Sequence, residues 1–245
     1  MNRRFFAPAV DFQTSKIVLG LEETRHLRDV LRLRTEELVR IFDGEGKEFL
    51  CEIVSLAKRE TALKIIKEIP PAAPESELEL TLAVALLKGE KFDLVVQKAV
   101  ELGVSNFIPL LTKRTDVKPK DAEKKLERWR KIILEASKQY GPANLMKISA
   151  PAAFDLFVKN AAASRLAGES HVLFSERGGE NFSAVSPAKK MTAVTGAEGG
   201  WENSEIEFAG AHGFRLVTFG GRILRAETAA IAAAAVLQNR FGDLN

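Results

Sequence analysis

The sequence predicts an α/β protein in which a small antiparallel β-barrel precedes a larger domain with a mostly parallel sheet and helices on both faces. Three observations carry that prediction. Segment 69–77, IPPAAPESE, packs three prolines into a polar, small-residue run that can continue neither a helix nor a central strand. Before it, apolar residues fall in short strand-like runs separated by tight turns; after it, strand-like and helix-like spacing alternate. The expected organisation is a barrel at 1–70, a linker at 71–77 and an α/β domain at 78–245.

In the first part the expected strands are RRFFA, KIVL, ELVRIF, EFLCEIV and TALKIIKEI, with a tight DGEGK turn between the third and fourth and one helix in EETRHLRDVLR. Such a barrel serves either as an RNA-binding module or as a packing domain without a ligand. In the second part LELTLAVALL reads as a strand. KFDLVVQKAVELG reads as a helix, with Phe92, Val95, Val96, Ala99 and Val100 on one face and a stop at Gly103. VSNFIPLL, HVLFSE, MTAVTG and FRLVTF follow as strands, and AEKKLERWRKIILEASKQY, PAAFDLFVKNAAA, ENSEIEFAGAHG and AETAAIAAAAVLQNRF as helices. Strands separated by helices form parallel sheets.

Composition narrows the chemistry. With 46% hydrophobic and 28% charged residues in 245, the chain is of ordinary globular type. No apolar run approaches the roughly 18 residues of a membrane helix, and MNRRFFAPAVDF lacks a signal-peptide core, so the expected location is the cytoplasm with no membrane partner. Cys51 is a lone cysteine, and His26, His171 and His212 are scattered, so neither a disulfide framework nor a metal is expected.

The glycines locate a ligand site. An open α/β sheet binds ligands beyond the carboxyl ends of its strands. The first βα turn, LLKGEKF, holds one glycine and no dinucleotide fingerprint, and no Walker A loop is present. TGAEGG at 195–200 and FGG at 219–221 each follow a strand and precede a helix, and a third loop after HVLFSE carries Glu176, Arg177, Gly178 and Gly179. One such turn could be merely a tight connection. Three on one edge favour close approach of backbone to a ligand, because glycine removes the blocking Cβ. The helix that follows is nearly all alanine (Ala229, Ala230, 232–235), which suits close backbone contact with the chain itself or with a second copy.

Charge adds a weaker pointer. Between 113 and 131 lie nine basic residues (Lys113, Arg114, Lys118, Lys120, Lys124, Lys125, Arg128, Arg130, Lys131) against four acids (Asp116, Asp121, Glu123, Glu127), more than the whole chain's net +3. This is either a solvated helix face with pairs such as Glu127 to Lys131 or a phosphate-contacting surface. Arg3, Arg4, Arg25, Arg28, Arg32 and Arg34 add positive charge from the first part.

With these residues in view, the chain resembles the bacterial family of 16S ribosomal RNA uracil-N3 methyltransferases, within the SPOUT class. The likeness runs along nearly the whole chain: RRFF, HLRDVLRLR, FDGEGKEFLCEI, KGEKFDLVVQKAVELGVSNFIPLLTKR, TGAEGGWENSEIE and FGGRILRAETAA. It implies a PUA-like N-terminal barrel that holds RNA, a SPOUT domain with a trefoil knot, bound S-adenosyl-L-methionine, and a homodimer acting on 16S rRNA or the small ribosomal subunit. The sequence departs from the family's usual proline at Ala197 and Gly221, its threonine at Val100 and Ala226, and its arginines after Gln139, where Pro142 and Asn144 stand.

By the same resemblance, the cofactor contacts are Leu173, Phe174, Glu176, Thr195, Gly196, Glu198, Gly199, Gly200, Phe219, Gly220, Ile223, Leu224, Arg225 and Thr228. The expected RNA contacts are Arg3, Arg4, Arg28, Arg32, Lys88, Lys113 and Arg114. Uracil N3 must lose its proton before it can accept a methyl group, so a proton acceptor or a cation facing the ring is wanted. Arg225 is the expected catalytic cation, being charged at any relevant pH, and Glu198 the expected partner that takes the proton or holds the target. Glu227, in the first turn of a helix, reads as a cap and dipole partner, and Arg222 as surface charge. The alternative reading is a non-catalytic RNA-binding ribosome-assembly factor that retains the fold.

Overall fold

The computed structural model describes residues 3–13, 16–117 and 122–244. The chain divides into two units, Met1–Glu75 with Leu134–Leu145 and Ser76–Ile133 with Met146–Asn245. The expected boundary at 69–77 thus acquires a second component: twelve residues from far along the chain belong with the first unit.

Strands β1 (Arg4–Phe6), β2 (Lys16–Leu19), β3 (Leu38–Phe42), β4 (Glu48–Leu56) and β5 (Thr61–Ile69) form the sheet of the first unit, in the order β1-β3-β4-β5-β2. Four of the strands pair antiparallel as expected, but β1 runs parallel to β3, with Arg4 opposite Arg40. Parallel pairing needs a long crossover, and residues 7–37 supply one. It contains a 3₁₀ turn at Ala9–Gln13, β2, the helix α1 (Leu21–Arg25) and a π-turn at His26–Val30. The expected single helix is therefore split. The DGEGK turn is held by Asp43, whose Oδ1 accepts from the backbone N–H of Glu45 at 2.7 Å and of Lys47 at 3.0 Å. Alternate residues Ile17 and Leu19, Val39 and Ile41, with Phe5, Ile53 and Leu63, fill the core. Each such side chain contributes about 1.5–3 kcal/mol by leaving water. Cys51 lies among them, and burial pushes its thiol up to about 12.

Arg4 corrects an expectation. It is 2% exposed and cannot present charge to RNA. Its Nε donates to Glu48 Oε2 at 3.1 Å, Nη2 donates to the Pro142 carbonyl at 3.0 Å, Nη1 donates to the Ser137 carbonyl, and the guanidinium stacks over Phe42. Glu48 also accepts from Arg40 Nε and from the Ala72 N–H. Burial pulls the Arg4 pKa down from its ordinary value, and the Glu48 charge opposes that shift. Pro142 and Asn144, where the resemblance leads one to expect arginines, pack here instead. The Asn144 N–H donates to Glu75 at 3.0 Å, and the Leu145 N–H donates to the Gly44 carbonyl at 3.0 Å.

The second unit carries β6 (Glu79–Ala85), β7 (Asn106–Leu111), β8 (Lys147–Ile148), β9 (Ala152–Ala153), β10 (Glu169–Phe174), β11 (Glu180–Asn181), β12 (Lys190–Thr195) and β13 (Arg215–Thr218). All pairs are parallel, in the order β11-β13-β10-β12-β6-β7-β8, with β9 also on β7. The helices are α2 (Lys91–Glu101), α3 (Ala122–Tyr140), α4 (Phe154–Ser164), α5 (Asn203–Ala211) and α6 (Ala226–Phe241). The last turns of α3 count with the first unit. Helix α2 buries the five residues its spacing selects. Helix α6 buries Ala226, Ala230, Ala233, Ala234 and Leu237 and packs on α2, β12 and β6, so its alanines serve close contact within the chain. Among the described residues, no helix is long and apolar enough to cross a membrane, and no cluster of three or more His, Cys, Asp or Glu could hold a metal.

Candidate active site

Parallel strands bring their carboxyl ends to one edge, and β13, β10 and β12 are neighbours there. Phe174 stands in register with both Thr195 and Val217, so the loops that follow converge. Together with Lys91 at the start of α2, they enclose a cavity of about 460 Å³.

The cavity gathers most of the residues expected to touch a cofactor. Phe174 and Glu176 come from the end of β10; Thr195, Gly196, Glu198, Gly199 and Gly200 from the end of β12; Phe219, Ile223, Leu224 and Arg225 from the loop after β13. Three expected contacts stand elsewhere. Leu173 is fully buried in the core under the sheet, because alternation along β10 turns it away from the loop. Gly220 is off the cavity wall and makes a turn at φ +94°, a conformation that favours glycine. Thr228 lies on the exposed side of α6.

Ser175, Arg222 and Glu227, which belong to the expected loops 173–176 and 219–228, also line the cavity, and so do Trp201 and Lys91, which stand outside those loops. Trp201 had a signal, standing directly after TGAEGG, a place where a large buried side chain fixes a glycine loop. Its Nε1 donates to the Phe174 carbonyl at 2.9 Å, and its ring lies against Gly196, where a Cβ would come within 2.9 Å. The turn closes by Gly200 N–H donating to the Ala197 carbonyl at 2.9 Å; Gly200 has φ +71°, and a Cβ there would collide with the Glu176 carboxylate.

Polar groups face the cavity unevenly satisfied. Glu198 Oε1 accepts from the Lys88 N–H at 3.2 Å and from Lys91 Nζ at 3.3 Å. Lys91 Nζ also stands 3.8 Å from Glu227 Oε2. Thr195 Oγ1 and Glu227 Oε2 are buried without a hydrogen-bond partner. Phe174 and Phe219 stack at 4.6 Å with planes 14° apart, an apolar wall with an aromatic face. Arg225, the N-cap residue of α6, is exposed; its carbonyl accepts from the Ala229 N–H at 2.8 Å, and its guanidinium holds no hydrogen bond or ion pair among the described residues. Behind the loop, Arg114 donates from Nε to Glu202 and from Nη1 to the Gly199 carbonyl, both at 2.8 Å, and the Lys113 N–H donates to Glu205 at 2.9 Å. The hydrogen bond from Arg114 holds the Glu202 carboxyl below its usual range.

Several residues expected at RNA are thus engaged within the protein. Besides buried Arg4, Arg3 pairs with Glu37 at 2.9 Å, Arg28 with Asp29 at 2.7 Å and Lys88 with Asp116 at 2.6 Å, and Lys113 Nζ donates to Ser204. These solvent-exposed pairs are screened and hold their side chains only weakly. Arg32 is exposed at φ +54°. Lys118, Lys120 and Asp121 of the basic stretch lie outside the described residues.

A glycine-lined cavity thus lies at the strand ends of a parallel α/β unit, in a chain that also carries a small β unit. The RNA methyltransferase domain model matches residues 74–238, and an RNA methyltransferase PUA domain model matches 19–66. The ribosomal RNA small subunit methyltransferase E of a Synechocystis strain is 35% identical over 221 residues, covering 89% of this chain and 71% of that protein. Its counterpart from Buchnera aphidicola is 29% identical over 241 residues, covering 95% and 92%. A solved structure of a ribosomal RNA small subunit methyltransferase E from Neisseria gonorrhoeae bound to S-adenosyl methionine superposes with TM-score 0.89 at 30% identity over 100% of both chains. The chain belongs to the ribosomal RNA small subunit methyltransferase E family.

Proposed function

We propose that this enzyme methylates N3 of a uridine in 16S rRNA, using S-adenosyl-L-methionine held in the cavity at the ends of β10, β12 and β13. The observation that carries the reading is the cavity's pattern of unmet polar groups on a glycine-opened wall. Thr195 Oγ1 has no protein partner, Glu198 and Glu227 present carboxylates that suit a sulfonium or ammonium cation, and Phe174 with Phe219 offers a flat apolar face. A cavity near 460 Å³ lies within the roughly 300–1,000 Å³ of small-molecule sites.

Bound there, S-adenosyl-L-methionine supplies an electrophilic methyl group. The protein's part is positioning and charge. Arg225, unpaired at the mouth of the cavity, places a permanent cation where negative charge grows on the uracil ring as N3 loses its proton. Glu198 ties the 195–200 loop to Lys88 and Lys91 through one oxygen and leaves the other for the target. The trefoil knot of the SPOUT class, a homodimer, the cytoplasm as place of action and RNA contacts from basic side chains complete the proposal. Family membership supports it, and the exposed Arg3, Arg32, Lys88 and Lys113 with the half-buried Arg28 and Arg114 support the RNA contacts.

The test is incubation with methyl-labelled S-adenosyl-L-methionine and either small ribosomal subunits or naked 16S rRNA, followed by mapping of the modified base. Label at uridine N3 is expected. Label at another atom would overturn the assignment of the base, and tight cofactor binding with no transfer to either substrate would favour the non-catalytic assembly factor.

A further inference from the structure

We propose that Glu227 is a ligand-contacting residue, accepting a hydrogen bond through Oε2 from an N–H group of a molecule bound in the cavity, with Lys91 as its positioning residue. This rests on the reading of the cavity as the S-adenosyl-L-methionine site. Three observations carry it. Glu227 lines the cavity from the first turn of α6, and its side chain is only 13% exposed. A carboxylate serving only the helix dipole would be expected to keep its oxygens in water or on the first-turn N–H groups. Oε2 does neither, being buried with no hydrogen-bond partner. A buried oxygen left so is costly, the more so on a charged group, unless something fills the place.

The neighbouring carboxylate behaves differently. Glu198 already accepts two hydrogen bonds through Oε1, from the Lys88 N–H and from Lys91 Nζ, and so closes its loop onto the start of α2. Lys91 Nζ reaches both acids, at 3.3 Å to Glu198 and 3.8 Å to Glu227. At the longer distance it stabilises charge on Glu227 without consuming the acceptor. Two acids share one lysine, so the group retains negative charge and acceptor capacity, and that capacity belongs to Glu227.

Two sources offer the required N–H: the α-ammonium of the cofactor, or the imide N3–H of the target base. In the second case the N3–H bond would break with its proton passing to Oε2, the electron pair left on nitrogen would bond the methyl carbon, and the S–CH3 bond would break with its pair returning to sulfur, so that S-adenosylhomocysteine leaves. Calorimetric titration of wild-type protein and of Glu227→Gln separates them, using S-adenosylmethionine, S-adenosylhomocysteine and 5′-methylthioadenosine, which lacks the amino-acid end. If Glu227 receives the ammonium, the substitution weakens the first two by about tenfold, the scale of one charge-assisted hydrogen bond, and leaves the third unchanged. If it receives the imide, all three affinities stay within twofold, single-turnover transfer falls at least tenfold, and the acidic limb of the pH–rate profile moves.

Lys91→Met should shift the same readout in the same direction, with Lys91→Arg restoring it. Unchanged affinities together with an unchanged rate and pH profile in Glu227→Gln, at unaltered melting temperature, would overturn the proposal. A substitution that merely unfolds the protein would weaken all three ligands alike, and that result also counts against it. Failure of the wild type to bind S-adenosylmethionine would remove the cofactor reading itself, and this inference with it.

Discussion

The indole of Trp201 donates from Nε1 to the carbonyl oxygen of Phe174 at 2.9 Å, buried, across 27 residues of sequence. That bond fastens the glycine loop after β12 to the end of β10, and the same ring fills the space beside Gly196 and packs against Phe154. Trp201→Phe keeps most of the ring but strands the carbonyl. It should lower stability by about 1–3 kcal/mol and weaken S-adenosylmethionine binding, read by urea denaturation and calorimetry.

Gly200 and Gly220 both have positive φ but should respond differently to alanine. At either site the left-handed backbone costs roughly 1–2 kcal/mol. Only at Gly200 does the new methyl strike a neighbour, the Glu176 carboxylate on the cavity wall; at Gly220 no heavy atom lies within 4 Å of the new position. Gly200→Ala should therefore lose cofactor affinity by tenfold or more, while Gly220→Ala should keep it within about threefold after correction for stability, an ordering that titration of both variants will check.

Arg225→Ala removes the unpaired cation at the mouth of the cavity without touching a buried contact. Single-turnover methyl transfer should fall by about 10²–10³, the scale of one lost electrostatic stabiliser, with cofactor affinity changed by no more than several-fold. Retained turnover would take Arg225 out of the chemistry.

Glu48→Gln leaves Arg4 buried beside a neutral amide. Breaking one member of a buried ion pair costs about 3–5 kcal/mol, and the loss should appear in urea denaturation together with faster proteolysis within 134–145, whose carbonyls Arg4 holds.

Stability should also fall on mild acidification. His171 is buried against Phe214, its Nδ1 unpartnered, and burial, aided by Arg165 and opposed by Glu169, lowers its pKa below the ordinary value. The unfolded chain then binds a proton more readily than the folded one. The contribution of neutral His171 is complete above about pH 6.5, the ordinary histidine value, and is lost as pH falls below it. Urea midpoints at pH 7.5 and 5.5 should differ less in His171→Phe than in the parent.

Much of this was legible in the chain because period and punctuation are local. KIVL, TALKIIKEI and AETAAIAAAAVLQNRF form elements with the bounds their patterns suggest, and the glycine loops after β12 and β13 line the cavity. Strands β8, β9 and β11 are two residues long, too short to show any period. Arg4 looked like surface charge because its partners, Glu48, Ser137 and Pro142, are 44 to 138 positions away, and two of them act through backbone carbonyls that every residue carries. Lys91 gave no local signal for the same reason, and Glu227 read only as a helix-dipole partner: the 3.8 Å between them is a product of parallel strand order.

Residues 134–145 also constrain how this architecture can have been assembled or can be re-engineered. A gene fragment ending at residue 75 would encode Arg4 and Glu48 but not the Ser137 and Pro142 carbonyls that complete their site. The small β unit is therefore not a contiguous cassette. Recombination or cloning that exchanges it between relatives must carry both segments together, or supply a new partner for a buried guanidinium.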